Sequence, residues 1–212
     1  MDIQKELSSN QTVLLLMPGS EYNELMVETV KELSNKSVCY VTTNKTYDSL
    51  SEIFKKKGID MKNMVFIDAI SKTLKKTPDQ GDNVYYVSSP GALTELSLAI
   101  SKFLRHDFDY LVFDSITNLA IYQKAQICAK FLSSLINNIK KNKTRAVFYA
   151  LEESSAELVK HASLFVDKVA EVNKSGKVNE VVAEKEGEKE GDGDNTKEVN
   201  DKKKDIKKVS KK

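Results

Sequence analysis

The 212-residue chain carries 33 basic and 31 acidic side chains, a net charge of +2 and an apolar fraction of 40%. That length suits one domain plus an extension, and the charge is unevenly spread: residues 1–172 hold 21 basic and 21 acidic side chains, whereas 173–212 hold 12 Lys against 10 Asp and Glu. The balanced body argues against a broad nucleic-acid-binding face. The tail's only large apolar side chains are Val and one Ile, too few to offset the entropy of ordering it, so 173–212 is expected to be a disordered, charged extension of a 1–172 domain. No apolar run approaches the ~18 residues of a membrane span and no signal peptide is seen, so neither secretion nor a membrane contact is expected. Cys39 and Cys128 sit inside apolar patterns and read as core filler in a reducing cytoplasm.

After a polar start, residues 12–17 form an apolar run ending at Pro18-Gly19-Ser20, and a helical pattern follows with Tyr22, Leu25, Met26, Val30 and Leu33 on one side. Strand, glycine turn and helix is the layout of a phosphate-binding loop. The chemistry of such a loop is missing. G-x-x-x-x-G-K-[ST] needs a second glycine, a lysine for the phosphates and a hydroxyl for magnesium. Placing Pro18-Gly19-Ser20 mid-loop puts Glu21, Tyr22 and Asn23 at those three positions, and counting from Gly19 puts Glu24, Leu25 and Met26 there. Neither register supplies a lysine, and Glu21 and Glu24 would repel a triphosphate.

Residues 37–43 read as a second strand, Tyr47, Leu50, Ile53 and Phe54 as a helix face closed by Gly58, and 64–67 as a third strand ending at Asp68. A polar loop over 71–83 leads to a short strand at 84–87, predicted near a sheet edge, and Ser88-Ser89-Pro90-Gly91 to a helix bearing Leu93, Leu96, Ile100 and Leu104. Tyr110-Leu111-Val112-Phe113 is then a continuous apolar run, the signature of a strand buried on both faces of a parallel sheet. Asp114 follows at its carboxyl end, where open α/β sheets place their ligands; it reads equally as a magnesium holder or as a cap for the next segment. Ile121, Ala125, Cys128, Leu132, Leu135 and Ile139 predict one long helix. Residues 146–151 make another strand, Glu152 and Glu153 are read as the start of the next helix, Glu157 to His161 lie in a short helix, and 164–172 make the last strand. Strands alternating with helices imply a mostly parallel central sheet with helices on both faces.

The segments Ala92 to Ile100, Tyr110 to Ser115, Phe131 to Ile136 and Ala146 to Tyr149, with the Pro18-Gly19 turn and residues 40–43 in matching order, resemble archaeal members of the RecA superfamily, the branch containing the circadian-clock ATPase KaiC. The resemblance spans roughly residues 11–172. It implies a RecA-like three-layer domain in which Pro18, Gly19 and Ser20 are a vestigial phosphate loop and Asp114 holds the Walker B position, a metal ligand only if magnesium binds. The family's paired catalytic glutamates correspond here to Asn44 and Lys45, neither of which serves as a general base at neutral pH. Phosphate cradle and base are both absent, so no catalytic residue and no cofactor is expected, ATP with magnesium at most binding weakly. Three readings follow: a degenerate, non-catalytic RecA-like module that binds a protein partner (a RecA-family ATPase or a second copy); an atypical ATP- or GTP-dependent enzyme using Asp114 for magnesium; and an accessory factor that meets nucleic acid through the Lys-rich tail. A cytoplasmic location fits all three.

Overall fold

The computed structural model describes residues 2–152, 156–172 and 178–180. In chain order its strands are β1 (Thr12–Met17), β2 (Val38–Thr42), β3 (Met64–Asp68), β4 (Val84–Tyr86), β5 (Tyr110–Asp114), β6 (Arg145–Leu151), β7 (Lys168–Val172) and β8 (Val178–Glu180). They form one sheet in the order β4-β3-β2-β5-β6-β1-β7-β8. The first seven are parallel and β8 is antiparallel to β7. The Tyr110 strand lies inside the sheet, as expected of a strand buried on both faces, and the short Val84 strand lies at an edge, as expected.

The helices are α1 (Ile3–Ser9), α2 (Tyr22–Leu33), α3 (Tyr47–Lys56), α4 (Ser71–Leu74), α5 (Leu93–Leu104), α6 (Ile116–Tyr122), α7 (Ala125–Lys140) and α8 (Ala156–Ser163). Strand side chains alternate between faces, and the two faces build two cores. Leu14, Val41, Leu111, Phe113 and Phe148 pack with α5 and α7 through Leu96, Ile100, Leu132 and Leu135. Val13, Leu15, Tyr40, Val112 and Tyr149 pack with Leu7 of α1, Leu25 and Val30 of α2, and Leu50 and Phe54 of α3. Val112 and Asp114, two apart on β5, therefore share the face covered by α2 and α3. This is a three-layer α/β domain, and among its described residues no helix is long and apolar enough to cross a membrane.

The structure departs from the sequence pattern at several places, among them the last strand, expected over 164–172, which begins only at Lys168 because 164–167 form turns. The polar start contains α1, capped by the Asp2 carboxylate, which accepts from the Lys5 amide at 2.9 Å, and anchored by buried Ile3 and Leu7. The long helix predicted from Ile121 to Ile139 is two, because Gln123 and Lys124 are extended and Gln123 Nε2 donates to the Gly91 carbonyl at 3.0 Å. Ile121, assigned by its spacing to the apolar face, is 75% exposed. The polar loop after β3 begins with the single-turn α4. Of the tail expected from 173 onward, Val178–Glu180 form β8; residues 173–177 and 181–212 lie outside the described residues.

Candidate functional site

The carboxyl ends of β2 and β5 bring together Asp114, Asn44 and Lys45, three of the residues that the sequence singles out. Asp114 closes β5 and is fully buried. In register it lies beside Thr42 of β2, so Tyr40, two residues back, is on its face of the sheet; Val147 lies beside Val112, which places Tyr149 of β6 on that face too. Tyr22 descends from the first turn of α2, its ring edge-on to that of Tyr149 at 6.3 Å. The result is a carboxylate ringed by phenols.

The hydrogen bonds follow from that placement. Tyr40 Oη donates to Asp114 Oδ2 at 2.6 Å, the Tyr22 hydroxyl donates to Oδ1, and Asn44 Nδ2 reaches Oδ1 at 3.5 Å. Lys45 is half-buried above, its Nζ 5.7 Å from the centre of the Tyr22 ring, a cation–π contact. Burial pushes the Asp114 carboxyl above the usual carboxylate range, while the hydrogen bonds from Tyr22 and Tyr40 and the Lys45 charge pull it back. Burial, and then the Asp114 charge, hold the Tyr22 and Tyr40 phenols well above their ordinary value, so both stay neutral donors. The backbone beyond is tied to the β2 loop: Thr43 Oγ1 donates to the Ser115 carbonyl at 2.7 Å and accepts from the Ser115 amide at 3.0 Å. The Asp114–Ser115 peptide is cis.

Asn44 and Lys45 thus lie beside Asp114. Pro18, Gly19 and Ser20 do not. Only four residues separate β1 from α2, and the Glu21 amide donates to the Pro18 carbonyl at 3.1 Å, closing a tight turn. The phosphate-loop motif spends six residues before its lysine, two more than separate β1 from α2 here. Tyr22, the residue at the lysine position in the first register, points its hydroxyl at Asp114 instead. Nor does the donor set suit magnesium. That ion keeps several of its waters, and Asp114, fully buried with both oxygens engaged by phenols, leaves no room for a hydrated cation. Among the described residues no three His, Cys, Asp or Glu side chains come together.

Asp68 provides a contrast on the same edge. It is equally buried, yet accepts from the Tyr47, Ile70 and Ser71 amides at 2.7, 2.7 and 2.8 Å and from Ser71 Oγ at 2.6 Å. That carboxylate fastens two loops; Asp114 fastens side chains. Glu152 lies in an exposed turn ahead of α8 rather than in its first turn, and Glu153 lies outside the described residues. Cys39 is core, its thiol pushed up to about 12 by burial.

A model described as "Family of unknown function (DUF7090)" matches residues 3–182. The chain belongs to the DUF7090 family. No curated protein matches it. Among solved structures, this DUF7090 chain is similar to the KaiC-like protein PH0186 of the hyperthermophilic archaeon Pyrococcus horikoshii OT3, at 13% identity and a TM-score of 0.49, over 79% of this chain and 74% of that one. The sequence singles out Asp114, Asn44 and Lys45, which the structure brings to one sheet edge, but Tyr40 and Tyr22 read there only as packing residues. Strand parity is the signal that finds Tyr40, and the loop register is the one that finds Tyr22.

Proposed function

We propose that this DUF7090 domain is a non-catalytic, RecA-like module whose nucleotide site is filled from within and which works by binding protein. The observation that carries the reading is the Tyr22–Asp114 hydrogen bond. Where a phosphate-binding loop offers an ammonium to the nucleotide, this chain offers a neutral phenol to its own carboxylate. Neither the short turn at Pro18–Glu21 nor the sealed Asp114 leaves a place for the β- and γ-phosphates or their magnesium. Asn44 and Lys45 stand where a water-activating carboxylate would be needed, and the acids at the start of α2, Glu21 and Glu24, have the wrong sign for phosphate.

An interaction surface supports the second half of the proposal. Ile121, Tyr122 and Ile127 are exposed within seven residues at the α6–α7 corner, with Tyr122 Cβ packed against Gly91. Apolar side chains grouped on a polar surface mark protein contacts, in the simplest case with a second copy. Phosphate release from ATP and GTP should stay at background and be unchanged by Asp114→Ala; turnover that Asp114→Ala abolishes contradicts the proposal. Sedimentation of the full chain should show association weakened about tenfold or more, some 1.4 kcal/mol, by Ile121→Asp. A strictly monomeric protein contradicts self-association.

A further inference from the structure

The opposite, amino-terminal edge of the sheet carries a polar cleft that the nucleotide reading does not use. It measures about 480 Å³ and is lined by Ser8, Ser9, Asn10, Gln11, Lys143 and Arg145, with no acid among them. Lys143 and Arg145 are exposed on either side of buried Thr144. The backbone that carries them is fixed. Gln11 Nε2 donates to the Ile139, Asn142 and Thr144 carbonyls at 3.1, 2.8 and 3.1 Å, and Thr144 Oγ1 donates to the Phe108 carbonyl at 2.7 Å.

The charges nearby are already matched, and these two are not. Lys140 pairs with Asp167 at 2.7 Å and Lys168 with Glu6 at 3.0 Å. Asp109, which with Asp107 lines a smaller cleft on Lys143 and Arg145, accepts instead from the Ser37 hydroxyl and amide at 2.7 and 3.0 Å, and those bonds hold its carboxyl below the usual range. Among the described residues Lys143 and Arg145 pair with no carboxylate. A guanidinium takes a phosphate through two parallel hydrogen bonds and an ammonium adds a point charge. The Ser9 hydroxyl and the side-chain oxygens of Asn10 and Gln11 make no hydrogen bond among the described residues, so the cleft also offers a donor and acceptors.

We propose that this cleft binds a small phosphorylated ligand with a hydroxylated body, of the sugar-phosphate class. Arg145 and Lys143 hold the phosphate, and Ser9, Asn10 and Gln11 serve the hydroxyls. The volume favours more than a free anion, since sites for small organic ligands span about 300–1,000 Å³. The lining disfavours a nucleotide, because it offers a base no aromatic or apolar side chain. Two cations are too few for a nucleic-acid strand, whose affinity grows with each phosphate neutralised. Exposed charges bind weakly, so the dissociation constant is expected on the order of several millimolar.

Titration of the full chain with ribose 5-phosphate, followed by its backbone amide signals, tests this. The signals of 8–11 and 143–145 should shift and saturate together. Ribose alone should move none of them, and inorganic phosphate should bind about threefold more weakly or worse. Lys143→Gln/Arg145→Gln should weaken ribose 5-phosphate about tenfold or more, with the rest of the spectrum unchanged. Shifts confined to 197–212, an affinity no better than that of inorganic phosphate, or an affinity kept by the double variant overturns the proposal. So does a single-stranded oligonucleotide that moves the same amides at lower concentration, which would make this edge a nucleic-acid contact. Shifts at 44–45 and 114–115 would put the phosphate at the Asp114 edge, overturning this proposal and the proposed function together; failure at 8–11 and 143–145 alone leaves the latter standing.

Discussion

Asp114 is the residue on which the functional reading turns, and its protonation provides a direct test of its surroundings. Burial raises its carboxyl above the roughly 3.9 of an unfolded Asp. The stability contributed by the protonated form is therefore complete below about pH 4 and is lost as pH rises through the raised value. Asn carries no such charge, so the stability of Asp114→Asn relative to the native chain should improve from about pH 4 upward and level off once Asp114 ionises. Denaturation midpoints across that range check it; a flat or falling difference would mean that the carboxylate is well solvated or well paired. Tyr40→Phe removes the hydroxyl that donates to Oδ2 and should cost about 1–3 kcal/mol, measured by urea unfolding. Position was legible in the sequence here, and environment was not. A run of four apolar residues places Asp114 at a strand end, but hydrophobic periodicity treats tyrosine as an apolar unit and does not show where its hydroxyl goes.

β5 shows the same division at the scale of an element. Its apolar run is long enough to identify a doubly covered strand, and the structure places it between β2 and β6. Val112 is fully buried beside Tyr40 and Val147, on the face that already holds Asp114. Val112→Asp should leave the body unfolded: an unpaired charge there costs several kcal/mol against a total stability of about 5–15 kcal/mol. A folded, cooperatively melting variant by circular dichroism would contradict the placement. Helix boundaries were harder to read. The spacing from Ile121 to Ile139 fits a single helix because nothing in it reports Gln123 turning toward Gly91, a contact from a distant loop. α1 was detectable from Asp2 as a cap with Ile3 and Leu7 four apart, yet seven residues give too short a pattern to stand out against polar neighbours. β8 has three residues, and its pairing with β7 is a tertiary choice.

At the scale of the molecule, the chain joins a well-packed three-layer domain to a charged extension. The family match and β8 both carry the domain beyond residue 172. Removing 183–212 should accordingly shift the melting temperature by no more than a few degrees. Removing 173–212 also strips β8 from β7 and should cost more; equal melting of the two truncations by calorimetry would show that β8 contributes nothing. In the proposed function, Tyr22, Tyr40 and the short Pro18–Glu21 turn occupy the place of a nucleotide. A working loop meets about four negative charges with a lysine, a nest of amides and a held magnesium, and each charge-assisted hydrogen bond forgone loses roughly 1.5–3 kcal/mol. Titration calorimetry with Mg-ATP on the full chain tests this most directly. It should detect no binding of about millimolar affinity or better, whereas micromolar binding abolished by Asp114→Ala or Lys45→Ala would contradict the closed site and make the protein an atypical nucleotide-dependent enzyme.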